Sequence, residues 1–333
     1  MIPKTLPLVD SFGRNHHYLR VSVTDRCNLR CSYCYPTSID RRTQCRAALG
    51  FAGIIRLVRL FARMGVDKVR LTGGEPLMRE NLEQLVEQIV HIPGIKTVGM
   101  TTNGVLLKEK LEVLKKAGLS SLNVSLDTLR PERFAQITGR DRYHRVRASL
   151  DKALDEGFSP LKLNTVIIRG FNDDELLDFV ELACRAPIRV RFIEYMPFNS
   201  NLWRNEDLVS WSQMREIIER RYRLYPLREG PEKSAVAREY AIEGFSGRVG
   251  FIAPLSSGFC EHCSRLRLTA DGHLKLCLHH PQEIDLASAL GAGFSDEQLA
   301  DMIHAGLKKK PEAHEACEGG NLAGKRTMAE TGG

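Results

Sequence analysis

Three cysteines fall within eight residues, Cys27-x3-Cys31-x2-Cys34, and a second trio, Cys260-x2-Cys263-x13-Cys277, lies far downstream. The remaining three of the nine cysteines, Cys45, Cys184 and Cys317, stand apart. Thiolates are soft donors that suit zinc or iron–sulfur clusters. The opening residues, MIPKTLPLVDSFGRNHHYLR, carry neither the apolar core nor the cleavage site of a secretory signal, which predicts a cytoplasmic protein. In that reducing setting tight cysteine spacing favours ligation over disulfides. No His or Cys stands beside the first trio as a fourth ligand, since His16 and His17 would have to fold back across the preceding strand. A four-iron cluster on three cysteines leaves one iron open to a small molecule; a zinc knuckle with a remote fourth ligand is the alternative. The second trio is followed by His279 and His280, so zinc and iron–sulfur are equally consistent with it. Arg265 and Arg267 between its cysteines occupy alternate positions of a strand and share one face, where they suit phosphate or an electron-rich base.

The elements that must position these groups follow from periodicity. Apolar strands are expected at Leu19–Thr24, Lys68–Thr72, Thr97–Thr101, Ser121–Leu126, Leu161–Ile168 and Arg189–Glu194. Amphipathic helices are expected between them at Ala47–Met64, Leu82–His91, Leu106–Ala117, Arg142–Glu156, Asp173–Cys184 and Ser212–Arg221. Strands separated by such helices make right-handed βαβ units and a parallel sheet, either a full or partial (β/α) barrel or an open doubly wound sheet. The first cysteine trio then sits at the carboxyl end of a strand, where such folds build their sites. Beyond Tyr222 the rhythm changes to antiparallel-leaning strands at Ala235–Ile242, Arg248–Ala253, Arg265–Thr269 and His273–Cys277, the last two joined by an Asp271–Gly272 hairpin signal. A helix near Asp296–Lys310 and a Gly-rich, mobile tail complete the reading.

The chain has 333 residues, 43% of them hydrophobic and 27% charged, with a net charge of +7. These proportions suit a soluble globular protein, and no apolar run is long enough to cross a bilayer. The basic residues are scattered, often one per strand, which fits a small polyanion better than a nucleic acid. The run Lys308–Lys309–Lys310 reads as a solvated helix end. No glycine cluster fits G-x-x-x-x-G-K-[ST], so a phosphate-cradling P-loop is not the route.

CNLRCSYC, with the aromatic Tyr33 before the last cysteine, resembles the C-x3-C-x2-C signature of the radical S-adenosylmethionine (SAM) superfamily, and Leu71-Thr-Gly-Gly-Glu-Pro76 resembles its Gly–Gly–Glu–Pro motif. With the C-terminal cysteine trio, the terminal Gly332–Gly333, and the segments Arg20–Arg26, Thr101–Gly104, Asn123–Asp127 and Arg191–Met196, the chain resembles the GTP 3′,8-cyclases of molybdenum cofactor biosynthesis from about Phe12 to its end. The resemblance implies a partial (β/α)6-type radical SAM barrel over 12–222, a smaller cluster-binding region over 223–317, and a flexible Gly–Gly tail over 318–333. It implies two [4Fe–4S] clusters, on Cys27, Cys31 and Cys34 and on Cys260, Cys263 and Cys277, together with SAM. It further implies a 5′-deoxyadenosyl radical that takes the ribose 3′ hydrogen of GTP, after which the carbon radical attacks purine C8.

By position, the resemblance assigns Tyr33, Gly74, Ser125 and Met196 to SAM. It assigns Arg20, Arg70, Thr101, Lys162, Arg265 and Arg267 to GTP, with Leu266 contributing backbone. Arg191 is a weaker candidate. Gly74 with Gly73 would let the backbone approach the methionyl end of SAM. Gly332 and Gly333 are implied to reach the site and to be needed for activity, and no side chain is assigned as acid or base. An electron donor and the cyclic pyranopterin synthase that follows in the pathway are implied partners, with no nucleic acid, no membrane, and a monomer or homodimer. Two positions depart from the family's usual residues, Tyr35 after the first trio and Thr331 before the glycines. A peptide-modifying radical SAM maturase would generally need more cysteines, and a zinc-stabilised nucleic-acid-binding protein would leave Thr72–Pro76 without a role.

Overall fold

The alternation of strands β5 and β6 shows how the sheet is built. Leu161–Ile167 (β5) and Ile188–Glu194 (β6) bury every first residue and half-expose every second. Their fully buried apolar members pack in the core, while Lys162, Asn164, Val166, Arg189, Arg191 and Ile193 face inward. A barrel that turns polar side chains to its interior is built around a ligand rather than a packed core. The structure is a computed structural model that describes residues 6–34, 48–198, 201, 203–227, 236–313 and 326–332.

The remaining strands are β1 (Tyr18–Ser22), β2 (Lys68–Thr72), β3 (Thr97–Thr102), β4 (Ser121–Ser125), β7 (Leu224–Pro226), β8 (Arg238–Ile242), β9 (Arg248–Ile252), β10 (Arg265–Leu268), β11 (His273–Lys275) and β12 (Glu283–Asp285). The helices are α1 (Phe51–Arg63), α2 (Leu82–Val90), α3 (Leu107–Lys116), α4 (Pro131–Thr138), α5 (Tyr143–Asp155), α6 (Leu176–Arg185), α7 (Trp211–Glu219), α8 (Leu286–Gly291), α9 (Asp296–Leu307) and α10 (Met328–Thr331). In α1 the residues Ile54, Ile55, Leu57, Val58, Leu60 and Phe61 recur at three- and four-residue spacing and are buried, the stripe a sheet-covering helix requires. Ser210 and Gln213 close a reciprocal capping box on α7, and Ser295 with Gln298 does the same on α9.

Strands β1 to β6 run parallel in sequence order, as the βαβ reading requires. The sheet order is β12-β11-β10-β1-β2-β3-β4-β5-β6-β9-β8-β7, and its two edge strands do not pair, so the barrel is partial. The C-terminal strands are not a sheet apart. β10 adds parallel to β1 and β9 adds parallel to β6, so residues beyond 222 extend both edges of the same sheet. Only the outer pairs are antiparallel, including the β10–β11 hairpin turning at Gly272 with φ +84°. Buried Glu194 at the end of β6 accepts hydrogen bonds from the backbone N–H of Trp211, Leu255 and Ser256, which ties both neighbouring connections to the barrel end.

The expected first helix begins later than its sequence pattern, at Phe51, and residue 47 lies outside the described residues. Residues 326–332 of the tail are not a mobile end: Thr327 to Thr331 are packed, all but Met328 buried. No helix among the described residues is long and apolar enough to cross a membrane.

Candidate active site

A cavity of about 820 Å³ runs inside the sheet, from strand starts at Lys68 and Arg189 to carboxyl-end loops at Gly74, Ser125 and Met196. All six cysteines of the two trios line it. So do Arg20, Tyr33, Arg70, Thr101, Lys162, Arg265 and Arg267. Leu266 does not; its side chain is fully buried in the core, because residues alternate across a strand and Arg265 and Arg267 take the inner face.

The first cysteine loop is held from three sides. Arg30 and Ser32 donate their backbone N–H to the carbonyls of Thr138 (2.8 Å) and Ile137 (3.0 Å) at the end of α4. Asn103, just past β3, donates from Nδ2 to Asn28 Oδ1 (2.7 Å) and to Cys27 Sγ (3.7 Å). Its own backbone N–H is received by the buried Glu75 carboxylate at 2.7 Å, which also accepts from Thr102 and Leu77. Burial outweighs those donors and raises Glu75 to about 7. Tyr33 is fixed by its hydroxyl, which donates to Asp127 Oδ2 at 2.6 Å.

Gly73 and Gly74 serve this loop in a way the sequence reading did not state. A Cβ on either would come within 2.3 Å of a backbone oxygen, Thr24 for Gly73 and Arg26 for Gly74. The glycines therefore let the turn after β2 lie against the chain leading into Cys27, and Gly73 at φ +151° also requires glycine conformationally.

The inner wall is a sheet of cations in register. Arg267, Arg20 and Arg70 are neighbours across β10, β1 and β2; Thr101, Asn123, Lys162, Arg189 and Arg248 are neighbours across β3 to β9. Arg70 is already committed, donating to the Tyr18 hydroxyl (2.7 Å), the Met100 carbonyl (2.8 Å) and Ser121 Oγ (3.0 Å). Gly99 makes that reach feasible, for a Cβ there would lie 2.3 Å from Ser121 Oγ and 2.8 Å from Arg70 Nη2. Arg189 and Arg191 share Glu239. Burial, with Arg191 and Arg70 next in weight, lowers Lys162 to about 7. Burial lowers Arg20 to about 10, opposed by Tyr18 and reinforced by Arg70 and Arg265. Thr101 Oγ1, Asn123 Oδ1, Asn164 Oδ1 and Arg267 Nη1 are buried without a hydrogen-bond partner. Such an excess of positive charge, with unsatisfied polar atoms beside it, is unfavourable without a ligand, and a polyanionic one answers it.

The donor sets fit iron–sulfur clusters. Each trio is all cysteine, with N–H groups aimed at sulfur: Leu29 and Asn103 at Cys27, and Lys310 at Cys263. Cys34 is raised by its hydrogen bond with Cys31, then by burial and its cysteine neighbours, so three thiolates together need a cation among them. Burial would raise Cys263, yet Arg265 and Lys310 bring it down to about 7. Among the described residues no three His, Cys, Asp or Glu side chains converge on one metal-ion position. His279 instead lies with its ring 5.7 Å from that of Phe198.

The sequence analysis gives no separate role to Asn103, Glu75, Asp127 or Asn164. The Thr101-Thr-Asn-Gly104 and Asn123-to-Asp127 segments were visible as strand ends, but which side chain would meet a cysteine was not. Lys310, expected from sequence at a solvated helix end, is only 3% exposed. Gly333, Tyr35, Cys45 and Cys317 lie outside the described residues.

Residues 21–183 match the family model described as Radical SAM superfamily, and residues 188–316 match that described as Molybdenum Cofactor Synthesis C. The chain is 44% identical over 332 residues to the GTP 3′,8-cyclase of Syntrophomonas wolfei, covering 98% of this chain and 100% of that one. It is 44% identical to the mitochondrial GTP 3′,8-cyclase of Arabidopsis thaliana, covering 92% and 78%. It is 47% identical to Molybdenum cofactor biosynthesis protein 1 of Bos taurus, covering 92% of this chain but only 48% of that protein, about half its length. Among solved structures, Streptococcus suis SuiB bound to S-adenosylmethionine aligns with TM-score 0.62 at 16% identity, covering 88% of this chain and 68% of that one, a likeness of fold alone.

Proposed function

The chain belongs to the radical SAM superfamily and, within it, to the GTP 3′,8-cyclases of molybdenum cofactor biosynthesis, and on that premise we propose that it converts GTP to 3′,8-cyclo-7,8-dihydroguanosine 5′-triphosphate. The observation that carries this reading is one cavity lined by both cysteine trios, with a wall beside them on which basic side chains outnumber acidic ones. Cys27, Cys31 and Cys34 would hold one [4Fe–4S] cluster, and Cys260, Cys263 and Cys277 the other. With SAM bound, the first cluster would supply an electron for cleavage of the sulfonium, and the second would bind the purine.

The protein's own residues position and shield. Tyr33, Gly74, Ser125 and Met196 form the SAM end. Arg20, Lys162, Arg265 and Arg267 would hold the triphosphate, and Thr101, Asn123 and Asn164 present buried polar atoms for the rest of the nucleotide. Arg70, which lines the cavity and is oriented by three hydrogen bonds to Tyr18, Met100 and Ser121, keeps two N–H donors for the nucleotide. Two carbon centres held at fixed separation inside the partial barrel react with each other before they meet stray hydrogen donors. The reaction takes an electron from outside, so an electron donor is a partner, and the product passes to a cyclic pyranopterin synthase.

The test is anaerobic reconstitution followed by incubation with GTP, SAM and a reductant. Formation of 5′-deoxyadenosine that depends on GTP, in protein holding roughly eight irons per chain, supports the reading. Formation indifferent to GTP overturns it.

Lys162 gives the site a pH signature. Its lowered value near 7 means that the ligand-free protein loses this charge as pH rises through neutrality, whereas a bound triphosphate restores it. Above about pH 7 GTP binding must take up a proton at Lys162, so affinity falls with rising pH by up to about tenfold per unit. Equilibrium binding of GTP from pH 6 to pH 9 is expected to show a steeper decline in the wild type than in Lys162→Met. Equal slopes would remove Lys162 from phosphate recognition.

A further inference from the structure

Beside the second cysteine trio lies a buried group of charges, Asp10, Arg14, His16 and Lys310, none of which lines the cavity. Arg14 clasps two segments together. Its Nη1 donates to the carbonyls of Cys260 (2.8 Å) and Glu312 (2.5 Å), and its Nη2 to that of Pro311 (2.7 Å). Asp10 is consumed within the group, accepting from Arg14 Nε at 2.6 Å and meeting His16 Nε2 at 3.0 Å. Lys310 enters the same clasp from just past α9, its Nζ donating to the Arg265 carbonyl (2.9 Å) and to Cys263 Sγ (3.7 Å).

Among the described residues Lys310 forms no ion pair with a carboxylate, and Asp10, the acid of this group, is already bound to Arg14 and His16. A buried ammonium needs an opposite charge beside it. The group it faces is the Cys263 sulfur, which carries negative charge when it ligates a cluster. Because Lys310 does not reach the cavity, substrate phosphate cannot be the charge it answers.

We propose that Lys310 is a positioning residue of the second iron–sulfur centre, whose fixed positive charge and N–H···S hydrogen bond to Cys263 hold that centre at a higher reduction potential. This rests on the reading that Cys260, Cys263 and Cys277 bind a cluster. Hydrogen bonds to cluster sulfurs and nearby positive charge favour the reduced, more negative state. The same contacts secure the segment 310–312 over the cysteine loop, so the charge arrives with the chain that covers the site.

The test uses the whole chain reconstituted with iron and sulfide, with Cys27, Cys31 and Cys34 replaced by Ala so that only the second centre reports. Its midpoint is followed by electron paramagnetic resonance in an anaerobic redox titration, for the parent, Lys310→Met and Lys310→Arg. The expected result is a shift of the midpoint to lower potential in Lys310→Met, with Lys310→Arg close to the parent. Loss of the cluster in Lys310→Met but not in Lys310→Arg supports the same requirement for charge. A Lys310→Met centre titrating with the parent overturns the proposal, and so does loss of the cluster in both variants, which marks the position as space-filling. A parent protein with no iron at the second trio instead refutes the cluster reading itself, and the proposal with it.

Discussion

Removing Gly332 and Gly333 is expected to lower GTP-dependent 5′-deoxyadenosine formation by about a hundredfold or more while leaving the iron content of both centres unchanged. Gly333 lies outside the described residues, but the approach to it is well anchored. Arg326 is gripped by Glu283 through three hydrogen bonds of 2.7 to 2.9 Å and by Asp271 at 3.0 Å. Thr327 and Glu330 then close a capping box on α10, and Met328 and Ala329 line the cavity. Thr331, the departure from an aliphatic residue, turns its hydroxyl back to the Met328 carbonyl at 2.9 Å, so it is accommodated locally. The Gly332 carbonyl accepts from Arg20 Nη2 at 3.2 Å and from Thr72 Oγ1 at 3.1 Å. Losing these residues deprives Arg20, a wall cation, of one of its anchors without touching either cysteine trio. Gly332→Ala is a gentler version, since its φ of +81° disfavours a side chain and the new Cβ would press at 3.0 Å on Ser22 and Thr72. Iron analysis beside turnover decides the matter: full activity in the truncated protein, or loss of iron with loss of activity, removes the tail from the site.

Much of this architecture was legible because one kind of residue signals it. The inward Lys162, Arg189 and Arg191 of β5 and β6 interrupt apolar strands at period two, which no packed core would tolerate. The cysteine trios were legible from spacing alone. What escaped was short or distant. α4 spans eight residues and buries only Phe134, Ile137 and Thr138, too brief a pattern to stand out, yet its end receives the first cysteine loop. β7 and β12 have three residues each. Lys310 sits in a run of three lysines, and only a contact with Cys263, 47 residues away in sequence, distinguishes it. In the tail the glycines stand out first, although Thr327-x-x-Glu330 is a readable capping signal within it. The resemblance assigns Arg70 to GTP, but sequence does not reveal that Tyr18, Met100 and Ser121 engage three of its donors.

Arg267→Met should separate stability from function by moving them in opposite directions. Arg267 is buried on β10 beside Arg20, and burial, with Arg20 and Arg265, drives its guanidinium well below its ordinary value against a partial restoring effect of Cys277 and Cys263. Among the described residues it forms no ion pair with a carboxylate, and its Nη1 has no hydrogen-bond partner. A charge held this way is a burden on the ligand-free fold. Replacing it with an apolar side chain of similar length keeps the volume and removes the burden, so stability should hold or rise, by about 1–3 kcal/mol on the scale of comparable replacements. The triphosphate, however, loses a desolvated cation, a loss of about 2–5 kcal/mol that corresponds to roughly thirty- to several-thousand-fold in turnover at limiting GTP. Thermal unfolding of the reconstituted protein, read beside GTP-dependent 5′-deoxyadenosine formation, supplies both measurements. A variant that melts earlier and loses activity in proportion would mean that Arg267 supports the second cysteine loop rather than the nucleotide. A variant that melts no earlier but no longer turns over GTP would mean that the strain in the wall is the binding energy held in reserve for the substrate.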